Sequence, residues 1–144
     1  MIRPATAADI PRMVELGQRF HGYAGVAEIP FDSASFRLTI QQGLQDKNQC
    51  YLVAEVGGDV RAMAGAITYV PYFNHGAKTG QELFWWSECG EGLRLHDALA
   101  DWATARGCQT FSMIALADDR SERMARLYTR LGYRPTEQTF IRGL

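Results

Sequence analysis

The sequence has no excess of basic charge, few cysteines and no long apolar run, and each shortage removes a class of function. Fifteen Lys and Arg stand against sixteen Asp and Glu, a formal net charge of -1. Without a global basic field, no nucleic-acid partner is expected. The three cysteines, Cys50, Cys89 and Cys108, are odd in number and show no CxxC spacing. Neither a disulfide framework nor a zinc site is expected, and a reducing cytoplasm suits them. No apolar stretch reaches the length of a bilayer span, and the opening residues MIRPATAADI hold no apolar segment of a secretion signal. No membrane partner and a cytoplasmic location are the expectation. No repeat, low-complexity tract or linker interrupts the chain. Residues 1–144 are therefore expected to form one domain, with 47% hydrophobic residues to fill its core.

What is present centres on Glu82 to Gly107. The apolar run Leu83-Phe84-Trp85-Trp86 reads as a buried strand. The turn Ser87-Glu88-Cys89-Gly90-Glu91-Gly92 follows, and then a helical pattern with Leu95, Ala98, Leu99 and Trp102 on one face. Strand, glycine turn and helix together aim free backbone N–H groups and a helix N-terminus at a phosphate.

Around this unit the chain reads in order as follows. Ile2-Arg3-Pro4 starts a strand at a sheet edge, because Pro4 cannot donate to a ladder. Thr6 to Asp9 resembles a capping box ahead of a helix carrying Ile10, Met13, Val14, Gly17 and Phe20, ended by Gly22 and Gly25. Asp32 caps a second helix with Phe36, Ile40 and Leu44 inside. Cys50 to Ala54 is a continuous apolar run and reads as an interior strand. Gly57-Gly58-Asp59 turns it into a partner strand from Val60 to Val70. A loop from Pro71 to Gly80 leads to the central unit. Thr110 to Leu116 reads as a strand, Met124, Leu127, Tyr128 and Leu131 as a helix capped by Gly132, and Tyr133 to Arg142 as a last strand or hairpin. The expected order is β-α-α-β-β-β-α-β-α-β. Antiparallel hairpins followed by a β-α-β crossover predict a mixed sheet, of α/β (α+β) class, flanked by about four helices.

This order resembles the GNAT superfamily of N-acetyltransferases, and two motifs carry the likeness. Ser87-Glu88-Cys89-Gly90-Glu91-Gly92 is similar to the family's phosphate loop, [Q/R]-x-x-G-x-[G/A], with Ser87 in place of Gln or Arg. Leu127-Tyr128-Thr129-Arg130-Leu131-Gly132-Tyr133 is similar to the late-helix motif LYxxxGF. The combination looks most like small stand-alone members of phage and prophage type.

The resemblance implies a splayed sheet and an acetyl-CoA co-substrate with no metal. Trp85, Trp86, Ser87, Gly90, Glu91, Gly92, Leu93, Arg94 and Tyr128 would hold the acetyl-CoA. It implies attack of a primary amine on the thioester within a ternary complex, the amine belonging to a small molecule or a protein. Tyr128 would return a proton to the departing thiolate. An aliphatic amine with a pKa near ~10.4 must lose a proton. The resemblance points to Glu82 as the base, directly or through water, since a strand carboxylate near here serves some relatives, and His75 is a second candidate. Tyr23, Phe31, Tyr72, Phe73 and His75 would wall the acceptor side, and the tail Tyr133–Leu144 could pair two copies as a homodimer. Ser87 and the acids Glu88 and Glu91 depart from a strong pyrophosphate grip, so weaker cofactor binding is expected. They also leave open a GNAT-like CoA-binding or interaction protein with little or no catalysis. Without the motifs, Tyr128 reads as a packed aromatic bonded to backbone and Glu82 as a strand end in solvent.

Overall fold

The strands Gln49–Val56 (β2) and Asp59–Tyr69 (β3) are apolar along almost their whole length because both faces of the sheet are covered. Tyr51, Val53 and Met63 face one way, into a core with Met13, Leu16 and Ile40. Leu52, Ala54, Ala62, Ala64 and Ala66 face the other way, against Leu95 and Leu99. The structure, a computed structural model, describes residues 1–144. Met1–Ser112 form one compact unit and Met113–Leu144 a second.

In the first unit, β1 (Ile2–Pro4), β2, β3, β4 (Thr79–Ser87) and β5 (Thr110–Ser112) lie side by side in chain order. All pairs are antiparallel except β4 with β5, so the sheet is mixed as expected. Gly57 and Gly58 turn β2 into β3 with φ of +61° and +88°, a conformation that glycine reaches without strain. The helices α1 (Ile10–Ala24) and α2 (Ser33–Gly43) cover one face. They approach so closely that a Cβ on Gly17 would run into the Phe36 ring. Asp32 caps α2, its carboxylate accepting the Ala34 N–H at 3.1 Å. The helix α3 (Gly92–Ala105) covers the other face, where four alanines let it sit close.

At the sheet edge, Arg3 of β1 donates to both carboxylate oxygens of Asp9, at 2.8 and 2.9 Å, and to Glu55 of β2 at 2.9 Å. Bidentate guanidinium bonding holds the Asp9 carboxyl well below the usual carboxylate range, against the opposing pull of burial.

Two expectations need correction. The strand from Thr110 to Leu116 stops at Ser112. Its parallel ladder ends at Gln81–Ser112, just before a bulge bends β4. The last strand or hairpin from Tyr133 to Arg142 does not form, and those residues carry no regular element. Pro135 lacks a donor, and residues 135–144 are exposed, so no apolar face holds a strand in place. The second unit instead has one helix, α4 (Ser121–Arg130), ended by Gly132 at φ +90°.

Candidate functional site

A single extra residue in β4 sets the geometry. Gly65 pairs with Phe84 and Ala66 with Glu82, which leaves Leu83 as the bulged residue. Side chains on a strand alternate with period two, so the skip reverses their faces. Glu82 shares the α3 face with Ala66, whereas Phe84 and Trp86 join the α1–α2 face and Trp85 returns to the α3 side. Glu82 is a carboxylate only 4% exposed in mid-strand, which excludes the reading of a strand end in solvent. Buried carboxylates are rare and usually carry a structural or chemical duty.

The two tryptophans therefore serve opposite faces. Trp85 donates from Nε1 to the Gly92 carbonyl at 2.9 Å, fastening the strand to the first turn of α3. Trp86 packs against Phe20 and Tyr23, with ring centroids 6.2 and 5.1 Å away, and its Nε1 donates to Glu88 at 3.3 Å.

Between β4 and α3, the Ser87 hydroxyl accepts the Cys89 N–H at 3.3 Å and donates to the Cys89 carbonyl at 2.5 Å. At the position where the family loop has Gln or Arg, Ser87 thus shapes the turn. The first helical bond of α3 runs from Leu95 N–H to the Glu91 carbonyl at 3.1 Å, and no side chain caps the helix. The amides of Gly92, Leu93 and Arg94 come before that ladder and point out of the helix end. The fold does not require glycine at Gly90 or Gly92. Neither has positive φ. A Cβ on Gly90 would meet nothing within 4 Å, and one on Gly92 would make ordinary contacts at 3.5 Å or more. What the two glycines provide is bare backbone on the outside of the turn, beside the amides of a helix N-terminus that can receive an anion.

Both acids of the turn are neutralised. Arg19 Nη1 lies 2.7 and 2.8 Å from the two Glu88 oxygens, and Arg12 comes within 3.9 Å. The Arg19 hydrogen bonds hold the Glu88 carboxyl below the usual range, opposed by desolvation and aided by Trp86 and Arg12. Glu91 pairs with Arg94 at 2.7 Å. Neither Arg12 nor Arg19 figures in the sequence reading, because α1 and the turn are far apart in the chain.

A cleft of about 440 Å³ opens where the end of α1, the 24–31 segment and the β4 bulge meet. Phe20, His21, Val26, Ile29, Phe31 and Leu83 wall it, with Phe84 behind. Tyr23, its ring tilted 39° against Trp86, is not among the lining residues. Tyr72, Phe73 and His75 do not line the cleft. They sit exposed on the β3–β4 loop, with Tyr72 and Phe73 packed edge-on at 5.3 Å. Of the expected acceptor residues, Phe31 lines this cleft and Tyr23 packs on Trp86. Phe20 and Val26 carried only an ordinary helical or loop signal.

In the second unit, Tyr128 is 8% exposed. Its hydroxyl donates to the Ile114 carbonyl at 2.9 Å, and its ring packs on Tyr133 at 5.7 Å. No three His, Cys, Asp or Glu side chains cluster as a metal site would require. No helix is long and apolar enough to cross a membrane.

Comparison with known proteins gives the same architecture. Residues 12–133 match the acetyltransferase (GNAT) family. No curated protein matches the sequence. A transcriptional regulator from Bacillus halodurans C-125 superposes with a TM-score of 0.79 at 18% identity, covering 100% of this chain and 99% of the other. An aminoglycoside antibiotic 6'-N-acetyltransferase from Acinetobacter haemolyticus superposes with a TM-score of 0.76 at 20% identity, covering 100% and 97%. A predicted acetyltransferase from Clostridium acetobutylicum, solved with acetyl-CoA, superposes with a TM-score of 0.77 at 17% identity, covering 99% and 95%.

Proposed function

The chain belongs to the GNAT acetyltransferase family, and on that premise we propose that it transfers an acetyl group from acetyl-CoA to a primary amine. Both substrates are bound together, and the amine attacks the thioester directly. A C–N bond forms, the C–S bond breaks, and the proton lost by nitrogen ends on the departing sulfur. A single domain over residues 1–144 belongs to the same proposal, and the family match over residues 12–133 supports it.

The observation that carries this reading is the turn between β4 and α3. Its two glycines have no structural need to be glycine, its first helical amides lie outside the ladder, and its acids are paired with arginines. In this proposal Ser87, Gly90, Glu91, Gly92, Leu93 and Arg94 hold the pyrophosphate through their backbone, and Trp85 and Trp86 flank the reacting end. Pairing of Glu88 and Glu91 removes the repulsion that their charge would bring. The β4 segment that follows the last β5 pair, Gln81–Ser112, is where the amides of the pantetheine arm lie in this proposal.

Buried Glu82 is the base, directly or through one water, and Tyr128 the acid that protonates sulfur. His75, exposed and outside the cleft, is the weaker candidate. A small-molecule amine is favoured as acceptor over a protein, since the cleft is a concave pocket, and 6'-N-acetyltransferases of aminoglycosides share the fold. Dimerisation through the exposed Phe140 and Ile141 of the tail belongs to the same proposal, and light scattering reads it.

One observation favours a second reading, a CoA-binding protein without catalysis. The Tyr128 proton already bonds the Ile114 carbonyl, so the acid must give up that bond to act. Incubation with acetyl-CoA and a panel of primary amines separates the two. Amide product with stoichiometric thiol release supports transfer. Acetyl-CoA binding without any product supports the second reading.

A further inference from the structure

Resting on the reading of the chain as an amine acetyltransferase, we infer that its acceptor is an amine carried on an aromatic or branched aliphatic body, and not a polycation. The observation is the wall of the 440 Å³ cleft. Phe20, Val26, Ile29, Phe31, Leu83 and Phe84 supply most of it, and no Asp or Glu lines it. His21 is the one titratable side chain there. Its Nε2 lies 3.0 Å from the Ile29 carbonyl. A carbonyl can only accept, so Nε2 carries the hydrogen and the ring ties down the loop. His21 therefore offers no anionic partner to an ammonium group.

Charge decides between acceptor classes. A polyamine or an aminosugar carries several ammonium groups, and each must leave water on entering an apolar cleft. With no carboxylate in the cleft wall to receive the charges beyond that of the attacking nitrogen, that transfer is costly. An aromatic or branched body is instead favoured in proportion to the apolar area it buries. Size agrees, because ligand pockets run from about 300 to 1,000 Å³ and this cleft lies at the small end. The reaction points the same way. The attacking nitrogen must be neutral, and an apolar wall disfavours the ammonium form. The cleft thus helps deprotonate a monoamine, whereas it has no means to hold the remaining charges of a polycation.

The test measures acetylation of 2-phenylethylamine, ethylamine and spermidine by the full chain, alongside binding of 2-phenylethanol, which has the body without the amine. The expected result is a kcat/KM for 2-phenylethylamine at least about tenfold above the other two. Competitive inhibition by 2-phenylethanol is also expected. Ile29→Asp, at an exposed loop position, should narrow the preference and weaken 2-phenylethanol binding, with acetyl-CoA affinity and Tm unchanged. Val26→Asp repeats the test should the first variant fold poorly. Spermidine acetylated as well as or better than 2-phenylethylamine would overturn the inference while leaving acetyl transfer intact. If no amine is acetylated, the transfer reading fails and the binding arm decides the cleft: saturable 2-phenylethanol binding lost in Ile29→Asp supports its apolar chemistry, and no binding overturns it.

Discussion

Glu88 on the β4–α3 turn is gripped by Arg19 on α1, one guanidinium nitrogen lying 2.7 and 2.8 Å from its two oxygens across 69 residues of chain. The pair takes an acidic residue beside the amides proposed to hold the phosphates and removes most of its field. Arg19→Ala should therefore weaken acetyl-CoA binding by about three- to tenfold, the scale of a partly exposed ion pair. Arg19→Ala/Glu88→Gln should recover the wild-type affinity. Calorimetric titration reads both, and raised salt should shrink the difference. Equal affinity in all three proteins would mean that Glu88 lies outside the reach of the phosphates.

Tyr128→Phe removes a proton and one hydrogen bond to Ile114. As general acid, its loss should lower kcat by about 10²-fold or more with acetyl-CoA affinity within twofold. As a packing residue only, its loss should reduce stability by about 1 kcal/mol with turnover unchanged. Steady-state kinetics beside thermal unfolding distinguishes the two.

Glu82→Gln keeps the size of a side chain that is 4% exposed and removes its charge. If Glu82 is the base, kcat/KM falls by about 10²-fold or more at neutral pH, and the acidic limb of the pH–rate profile disappears. A retained acidic limb assigns the base elsewhere.

Stability against acid is expected to depend on Asp9. The Arg3 hydrogen bonds depress its carboxyl in the folded chain. A depressed carboxyl stabilises above its unfolded value of about 3.9, and that contribution is lost as pH falls toward the folded value. Asp9→Asn should lower Tm at pH 7, and the gap to wild type should close as pH falls below about 4. A gap independent of pH would point to lost packing instead.

Sequence pattern revealed most of this fold. Apolar runs at Cys50–Ala54 and Leu83–Trp86 marked interior strands because both faces are covered, and Gly57-Gly58 marked the hairpin because only positive φ closes it tightly. The glycine turn at Gly90–Gly92 was legible for the same reason that it is useful, which is the absence of side chains. The bulge at Leu83 was not legible. A period-two pattern puts Glu82 and Phe84 on one face, and only the pairing with Gly65 and Ala66 reveals the reversal. The Arg19–Glu88 pair was also hidden, since neither charge differs in sequence from any solvated one. Tyr133–Arg142 misled because Phe140 and Ile141 give a strand-like composition, yet composition does not supply a partner.

The most direct test of the central claim is calorimetric titration of acetyl-CoA into the wild type and Gly90→Ala/Gly92→Ala. Each Cβ has room in the protein, so Tm should hold or rise, as Gly→Ala changes at compatible sites commonly stabilise by about 0.4–1 kcal/mol. If the bare backbone of this turn holds the pyrophosphate, the wild type binds and the variant binds at least about tenfold more weakly, the scale of one lost charge-assisted hydrogen bond. Equal affinity in the two proteins, or no binding by the wild type, would contradict it.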